Sequence, residues 1–402
     1  MLLALAWKNI WRNKVRSAVV ITAIAIGLWA GVFASAFVVG MMNQKVDSVI
    51  SLEMSHFQVH HPNFRDEMLP KYTISNSAEI IHKLDNNKSV KDHSPRVVAM
   101  PMINSSNYSG MLKVTGINPE KEKLVTDLHE YLIEGKYFEG VKRNPILISK
   151  KTAEKYKIKL RSKVVLTVQD KLGEITAGAF RVVGIYNSNN GLYDEMNAFV
   201  RIPDLQKLLD VDEEIHEIAV LLNDHDLAES TALQYQEEHP ELEIKSWMDI
   251  ASGMRFMVEA MDVYTFFIVG IILFALLFSI INTMLMAVLE RVREIGMLMA
   301  VGMSKLRVFK MIMLETVFLS LIGGPLGLLL AWICIRYFGK NGINLGDASY
   351  SDYGFANLVF PQLDMMSYIN ITFMVLGMAI LAAIYPAIKA INLIPVEAIR
   401  KI

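Results

Sequence analysis

Glu290 to Met303 reads E-R-V-R-E-I-G-M-L-M-A-V-G-M and carries the densest charge cluster beside any apolar run in the chain. Ile295, Leu298, Met299 and Gly302 stand at i, i+3, i+4 and i+7, behind a charged lead-in of Glu290, Arg291, Arg293 and Glu294. That spacing predicts a helix with an apolar stripe, able to lie across a membrane surface and press into a partner. Covalent chemistry finds no comparable support. There is no G-x-x-x-x-G-K-[ST] loop to cradle phosphates, no G-x-S-x-G elbow, no H-E-x-x-H and no C-x-x-C. His56, Gln58 and His60 share one face of a predicted strand with His61 beside them, which invites a metal reading. No carboxylate or cysteine sits at ligand spacing nearby, so solvated strand histidines are expected and no metal site is assigned. Glu315 lies in an apolar run, where a carboxylate is a functional candidate by default. Lys310 is about a turn away, and an interfacial ion pair between the two is expected.

The elements that position these residues follow from composition. The 402 residues are 53% hydrophobic and 20% charged, with a mean hydropathy of +0.33. Such a chain is too apolar for an ordinary soluble protein and too polar to be all membrane, so it is part membrane and part globular. Its 40 basic and 41 acidic residues leave no footprint for nucleic acid. Cys334 is the single cysteine, which excludes an intrachain disulfide.

In chain order, residues 1–17 form an amphipathic segment, Leu3, Trp7, Ile10 and Trp11 on one face and Lys8, Arg12 and Arg16 on another. Residues 18–40 are the first transmembrane helix, and Lys8, Arg12, Lys14 and Arg16 before it place the N-terminus in the cytoplasm. A cleaved signal peptide, with a small-residue site at Ala34-Ser35-Ala36, is the rival reading. The run is longer than a usual signal core, so a retained helix is expected. Ala23, Gly27, Gly31 and Ser35 recur every fourth residue, either to admit a close neighbouring helix or because small residues are common in membrane spans. Residues 41–262 change character. Strands are predicted at Phe57 to His60, Leu112 to Gly116, Pro145 to Ser149, Val164 to Val168 and Phe180 to Ile185. Helices are predicted at Ser77 to Leu84, Lys151 to Tyr156, Pro203 to Leu209 and Asp226 to Glu238, which gives an α+β domain with its own core. Residues 263–289 form the second membrane helix, roughly 40 Å long, which projects beyond the hydrocarbon. Residues 290–310 are the cytoplasmic helix and loop, with Gly302 as a helix stop and Ser304 as the next N-cap. Residues 311–338 form the third helix, where Gly323 and Gly324 permit close packing and Pro325 is expected to kink or break it. A polar outer loop at 339–367, a fourth helix at 368–388 containing Pro386 and a cytoplasmic tail at 389–402 complete the chain. The fold class is therefore a membrane protein with four transmembrane helices (1 + 3) and a large α+β extracytoplasmic domain inserted between helices 1 and 2. Four helices hardly enclose a pathway, so oligomerisation is expected.

Arg293-Glu294-Ile295-Gly296-Met297-Leu298-Met299-Ala300-Val301-Gly302 resembles the R-E-I-G-x-L-x-A-x-G signature after the second membrane helix in permeases of the FtsX/MacB (type VII) ABC transporter family. Leu314-Glu315, ahead of Leu319 to Gly327, is similar to the family's third helix. Pro386-Ala387 with Ile394-Pro395-Val396-Glu397-Ala398-Ile399-Arg400 is similar to its P-A…D-P-V-E-A-L-R ending, with Ile394 in place of the acidic residue. The opening Ala6 to Ser17 matches the family's basic, asparagine-containing start. Val114 to Pro119 and Phe180 to Ile185 resemble recurring strands of its periplasmic domain.

The resemblance implies a permease of the bacterial inner membrane with both termini cytoplasmic, and no enzyme activity of its own. It pairs with a second permease subunit, identical or homologous, and with a cytoplasmic ABC ATPase dimer that carries the ATP and Mg, so no cofactor is expected in this chain. Glu290 to Gly302 would be the coupling helix seated on the ATPase. Chain length and outer-domain size look most like the lipoprotein-releasing LolC/LolE branch, whose cargo is a lipoprotein drawn from membrane lipid. In the family the acylated cargo sits between the first and second helices of paired permeases, which would bring Phe33, Phe37, Phe267, Phe274 and Phe278 near acyl chains; lipid-facing aromatics are the alternative. MacB-like mechanotransmission, expelling a peptide or antibiotic from the periplasm, and FtsX-like signalling to a cell-wall hydrolase are the other readings. The connection Asp170 to Ala179 is shorter than the hook of the chaperone-recruiting permease and lacks its proline and arginine.

Overall fold

The computed structural model describes residues 2–12, 14–105, 108–140, 143–188, 190–346 and 355–392. The motif Ile394 to Arg400, most of the 389–402 tail and part of the 339–367 loop lie outside the described residues. The chain forms two units, one of Met1–Met42, Ala260–Asn344 and Leu358–Ile402, the other of Asn43–Glu259 with Leu345–Asn357. Four helices among the described residues are long and apolar enough to cross a membrane, one of them near the N-terminus.

In chain order the helices longer than one turn are α1 (Leu2–Arg12), α2 (Lys14–Val49), α3 (Ser77–Asp85), α4 (Pro119–Val125), α5 (Lys150–Lys155), α6 (Gly191–Met196), α7 (Ile202–Leu209) and α8 (Ala228–Glu238). They continue as α9 (Ser252–Glu259), α10 (Met261–Glu290), α11 (Val292–Ala300), α12 (Lys305–Asn341) and α13 (Met365–Ile391). The strands of the inserted domain are β1 (Phe57–His60), β2 (Val90–Ala99), β3 (Met102–Asn104), β4 (Ser109–Met111), β5 (Lys113–Ile117) and β6 (Leu132–Gly135). After them come β7 (Pro145–Ser149), β8 (Lys163–Gln169), β9 (Ile175–Tyr186), β10 (Asn197–Arg201), β11 (Glu217–Leu222) and β12 (Glu243–Ser246).

In the membrane unit apolar residues recur at helical spacing and face inward. Val20, Ile24, Leu28 and Val32 of α2 pack with Val269, Leu273, Leu276 and Ile280 of α10 and with Ile371, Val375 and Ala379 of α13 in one core. Small residues set the approach. A Cβ on Gly323 would stand 2.9 Å from the Ile21 carbonyl, and one on Gly27 would run into Leu276. Gly31 and Gly324 have room, with nearest contacts of 3.7 and 3.5 Å. Pro325 neither breaks nor ends its helix: α12 runs unbroken from Lys305 to Asn341 with the proline inside it. Its missing N–H removes only one bond of the ladder, and the rest of the span has no water to satisfy an opened backbone. The first membrane helix also outruns its expected end at residue 40. Met41 to Val49 contains neither glycine nor proline, so nothing stops the helix, and a π-helical turn follows at Ile50–Met54.

The inserted domain is built on a twelve-stranded sheet, ordered β12-β1-β11-β2-β5-β10-β7-β9-β8-β3-β4 with β6 paired to β9. Most neighbours are antiparallel, while β5–β10 and β7–β9 are parallel. Phe57, Val97, Val114, Ile148, Phe180, Val200 and Ile218 point into its main core and are essentially inaccessible, each burial contributing about 1.5–3 kcal/mol. Local sequence explains the edges of elements. Asn118 accepts from the N–H groups of Glu120 and Lys121, and Pro119 occupies the first turn of α4 where a missing N–H costs nothing. The strand expected over Phe180 to Ile185 is longer, Ile175–Tyr186, because it forms a hairpin with β8. The helix expected from Asp226 begins at Ala228, after a 3₁₀ turn.

Candidate functional site

Apolar sequence continues to Leu289 and charge begins at Glu290, and the chain turns there. Arg291 closes α10 and precedes α11 with φ −107° and ψ 16°, its N–H bonded to the Val288 carbonyl. The far end of α11 stops at Gly302, whose φ of +103° suits glycine. Ser304 is extended in the N-cap position of α12, although its side chain makes no capping bond.

One side of α11 is inward. Ile295 and Gly296 are buried, Leu298 and Met299 are half-buried, and Gly302 is exposed beyond the helix end. The opposite side faces outward, with Glu290, Arg293 and Ala300 exposed, Met297 53% and Val301 90% accessible. Leu306 and Arg307 at the start of α12 are exposed too. Several large apolar side chains left uncovered beside arginines are what a partner surface requires.

An ion-pair chain runs from the exposed Arg12 and Glu294 to the buried Glu315. Arg12 of α1 bonds Glu294, Arg291 Nε lies 3.3 Å from the same carboxylate, and Arg291 Nη1 lies 3.3 Å from Glu315. Burial works to raise the Glu294 carboxyl, but the hydrogen bond and charge of Arg12, then Arg291, outweigh it and hold it below the usual carboxylate range. Glu315, only 5% accessible, therefore pairs with Arg291; the expected pair with Lys310 is corrected. Helical spacing placed Lys310 nearby, yet that side chain is exposed while the turn at Arg291 brings a guanidinium to the buried carboxylate. The amphipathic α1 is part of this site. Ile10 is buried, the Asn9 amide contacts Met311, and Trp7 meets Phe318 edge-on at 5.6 Å. A cavity of about 380 Å³ lies among Asn9, Arg12, Met284, Arg291, Leu298 and Glu315.

The aromatic residues make local ring contacts. Phe33 stacks on Trp29 at 6.0 Å and meets Phe338 at 5.9 Å, and Phe37 is half-buried. Phe267, Phe274 and Phe278 are exposed on α10, the last two in contact with each other. No ring contact joins the two sets among the described residues.

A second charged cluster, inside the inserted domain, escaped sequence reasoning. Arg96 of β2 bonds Glu122 through Nε and Nη2 and Glu217 through Nη1, the shortest contacts being 2.6 Å. Gln58 and His60 bond Glu217 as well, each at 3.2 Å. His56 and His60 are both buried, so the solvation expected of these two is corrected: pairing with β11 gives His60 the Glu217 carboxylate that local spacing lacked and His56 the Leu222 N–H. Burial would raise Glu217, but His60, Arg96 and Lys113 hold it well below the usual carboxylate range. The only signal in the sequence was an arginine set against Val97 and Val98. Elsewhere Asp224, His225 and Asp226 bring three ligand atoms together on an exposed turn, a common arrangement without an ion.

A long helix into a large inserted domain, three further membrane helices and a charged connector define a multi-pass membrane protein. Two family models match in the same order: a MacB-like periplasmic core domain over residues 17–237, more than half the chain, and an FtsX-like permease C-terminal region over residues 266–395. The chain belongs to the FtsX/MacB (type VII) family of ABC transporter permeases, multi-pass proteins of the bacterial inner membrane that work with a cytoplasmic ATPase. It is 23% identical to the lipoprotein-releasing system transmembrane protein LolC of Neisseria meningitidis, over 97% of this chain and 95% of that protein. To LolE of Haemophilus influenzae it is 20% identical over 81% of both. A macrolide export protein MacB from a Shewanella species is 34% identical, over 22% of this chain and 13% of its own length. The periplasmic region of MacB from Actinobacillus actinomycetemcomitans aligns with a TM-score of 0.35 at 11% identity, covering 53% of this chain and 98% of that one.

Proposed function

We propose that this permease couples ATP hydrolysis on a cytoplasmic ATPase dimer, which binds the ATP and Mg, to the release of lipoproteins from the inner membrane. In this reading both termini are cytoplasmic, the inserted domain is periplasmic, and a second permease subunit, identical or homologous, completes the complex. The observation that carries it is α11: Met297 and Val301 lie uncovered beside Arg293 while the other side is tied through Arg291 and Glu294 to α1 and α12. A push on the exposed side moves two membrane-associated helices together. Likeness to LolC over nearly the whole of both chains supports the lipoprotein-release reading. MacB-like mechanotransmission, exporting a peptide or antibiotic from the periplasm, is the second reading, favoured by the MacB-like core model.

The test is reconstitution of the permease with its ATPase in proteoliposomes holding an acylated protein. ATP is expected to release the acylated protein, and Gly296→Leu or Arg293→Glu is expected to leave insertion intact while release falls at least tenfold. Undiminished release by both variants would remove α11 from the coupling role. ATP-driven movement of a peptide or antibiotic without acyl-protein release would replace the first reading with the second.

A further inference from the structure

The last carbonyls of a helix have no partner within it, and a long helix usually meets this with a glycine turn or water. The π-helical turn that continues α2 does neither. Ile50 O accepts from Ser55 N at 2.9 Å, Ser51 O from Asp127 N at 3.0 Å, Leu52 O from Tyr193 Oη at 2.9 Å, and Glu53 O from Arg96 Nη1 at 2.6 Å. Three of these donors come from different parts of the inserted domain: the segment after α4, helix α6 and strand β2. The Glu53 side chain is held as well, by Lys113 of β5 at 2.7 Å. Leu52 is buried with Ile117, Tyr186, Tyr193 and Phe199 in a core separate from the main one, while Val46, Val49, Ile50 and Met54 pack against the main core. One guanidinium and one ammonium at a helix's negative end, seated beside Glu122 and Glu217, make a charged grip rather than a hinge. Burial of Lys113 would lower its ammonium, but Glu53 and Glu217 more than offset this and it stays charged.

We propose that Arg96 is a positioning residue for coupling: with Tyr193 and Lys113 it forms a socket that locks the carboxyl end of the α2 rod to strands β2 and β5. The rod runs helically from Lys14 to Met54, and only a fixed terminus delivers its displacement to the sheet instead of dissipating it by bending at Ser55, whose φ is +54°. This rests on the coupling reading above. Arginine is required because one group must reach Glu122, Glu217 and the Glu53 carbonyl at once. Lysine keeps the charge and lacks that fork.

Hydrogen exchange by mass spectrometry on the full chain, in lipid nanodiscs with its ATPase, tests the socket in Arg96→Lys and Tyr193→Phe. Without nucleotide, amides of residues 50–55 are expected to exchange at least tenfold faster in both variants, with β1, β10 and β11 unchanged. With ATP and vanadate, the nucleotide-dependent change across β2 and β5 is expected to shrink at least threefold while ATP hydrolysis stays within twofold of wild type. Unchanged exchange at 50–55, an undiminished response of β2 and β5, or faster exchange throughout the sheet would overturn the socket, the last by showing a merely structural role. If the wild-type complex hydrolyses no ATP, the coupling reading falls by itself, and the comparison without nucleotide still decides the socket.

Discussion

At the scale of single residues, buried charge is tolerated only where a partner comes from another element. Arg291 and Glu315 are little exposed, 13% and 6% for their side chains. Removing one member of a buried pair takes compensation away from the charge that stays, whereas removing both avoids that cost. Arg291→Met is therefore expected to destabilise by about 3 kcal/mol, and Arg291→Met with Glu315→Leu to recover only part of it, since Arg291 also bonds Glu294, measured as thermal midpoints in detergent. His56 obeys the same logic by remaining neutral. Burial first, then His225 and Lys91, depress its imidazole to about 4, and its Nδ1 accepts from the Leu222 N–H at 2.9 Å. Between about pH 6.5 and 4 the unfolded chain binds a proton that the folded one does not, so stability falls as pH drops through that window. The loss is on the order of 2 kcal/mol after allowance for solvent screening. An NMR titration of the His56 ring is expected to show a midpoint near 4; a midpoint at the ordinary value would refute the burial argument.

At the scale of elements, glycine decides where helices touch. Gly323 faces the Ile21 backbone at a distance no Cβ tolerates without movement, whereas Gly324 has space. Gly323→Ala is expected to cost about 1–3 kcal/mol as overpacking, and Gly324→Ala to change the melting midpoint little. Equal midpoints for the two variants would mean that α2 and α12 are not packed this closely. The connector shows the same dependence on an opposing element. Its outward side can be read from α11 alone, but its anchoring needs Arg12, 282 residues earlier in the chain.

For the whole molecule, the coupling reading requires α11 to face the cytoplasm and the inserted domain to face the periplasm. Because Cys334 is the single cysteine, a Cys334→Ser background permits single-cysteine mapping. Val301→Cys is expected to react with a membrane-impermeant maleimide only in inverted vesicles, and Leu172→Cys only in intact spheroplasts. The reverse pattern would invert the topology and end the proposal. Arg12→Glu is expected to lower ATP-driven release several-fold with the permease still inserted, since it puts two like charges where Arg12 now meets Glu294. Release at the wild-type rate would show that α1 does not travel with the connector.

The four spans, the inserted α+β domain and the exposed charged connector were legible in the sequence. Hydropathy, helical spacing and turn chemistry are local properties, and a run of twenty apolar residues needs no partner to declare itself. The Arg293 to Gly302 motif also carried the family. What could not be read was every feature whose halves lie far apart: the Arg291–Glu315 pair, the burial of His56 and His60, the contact of α1 with the connector and the grip on Glu53. The strands bearing Arg96 and Glu217 are adjacent only because the sheet orders them so. Pairing across more than a hundred residues is settled by packing a common core, and no local pattern encodes it.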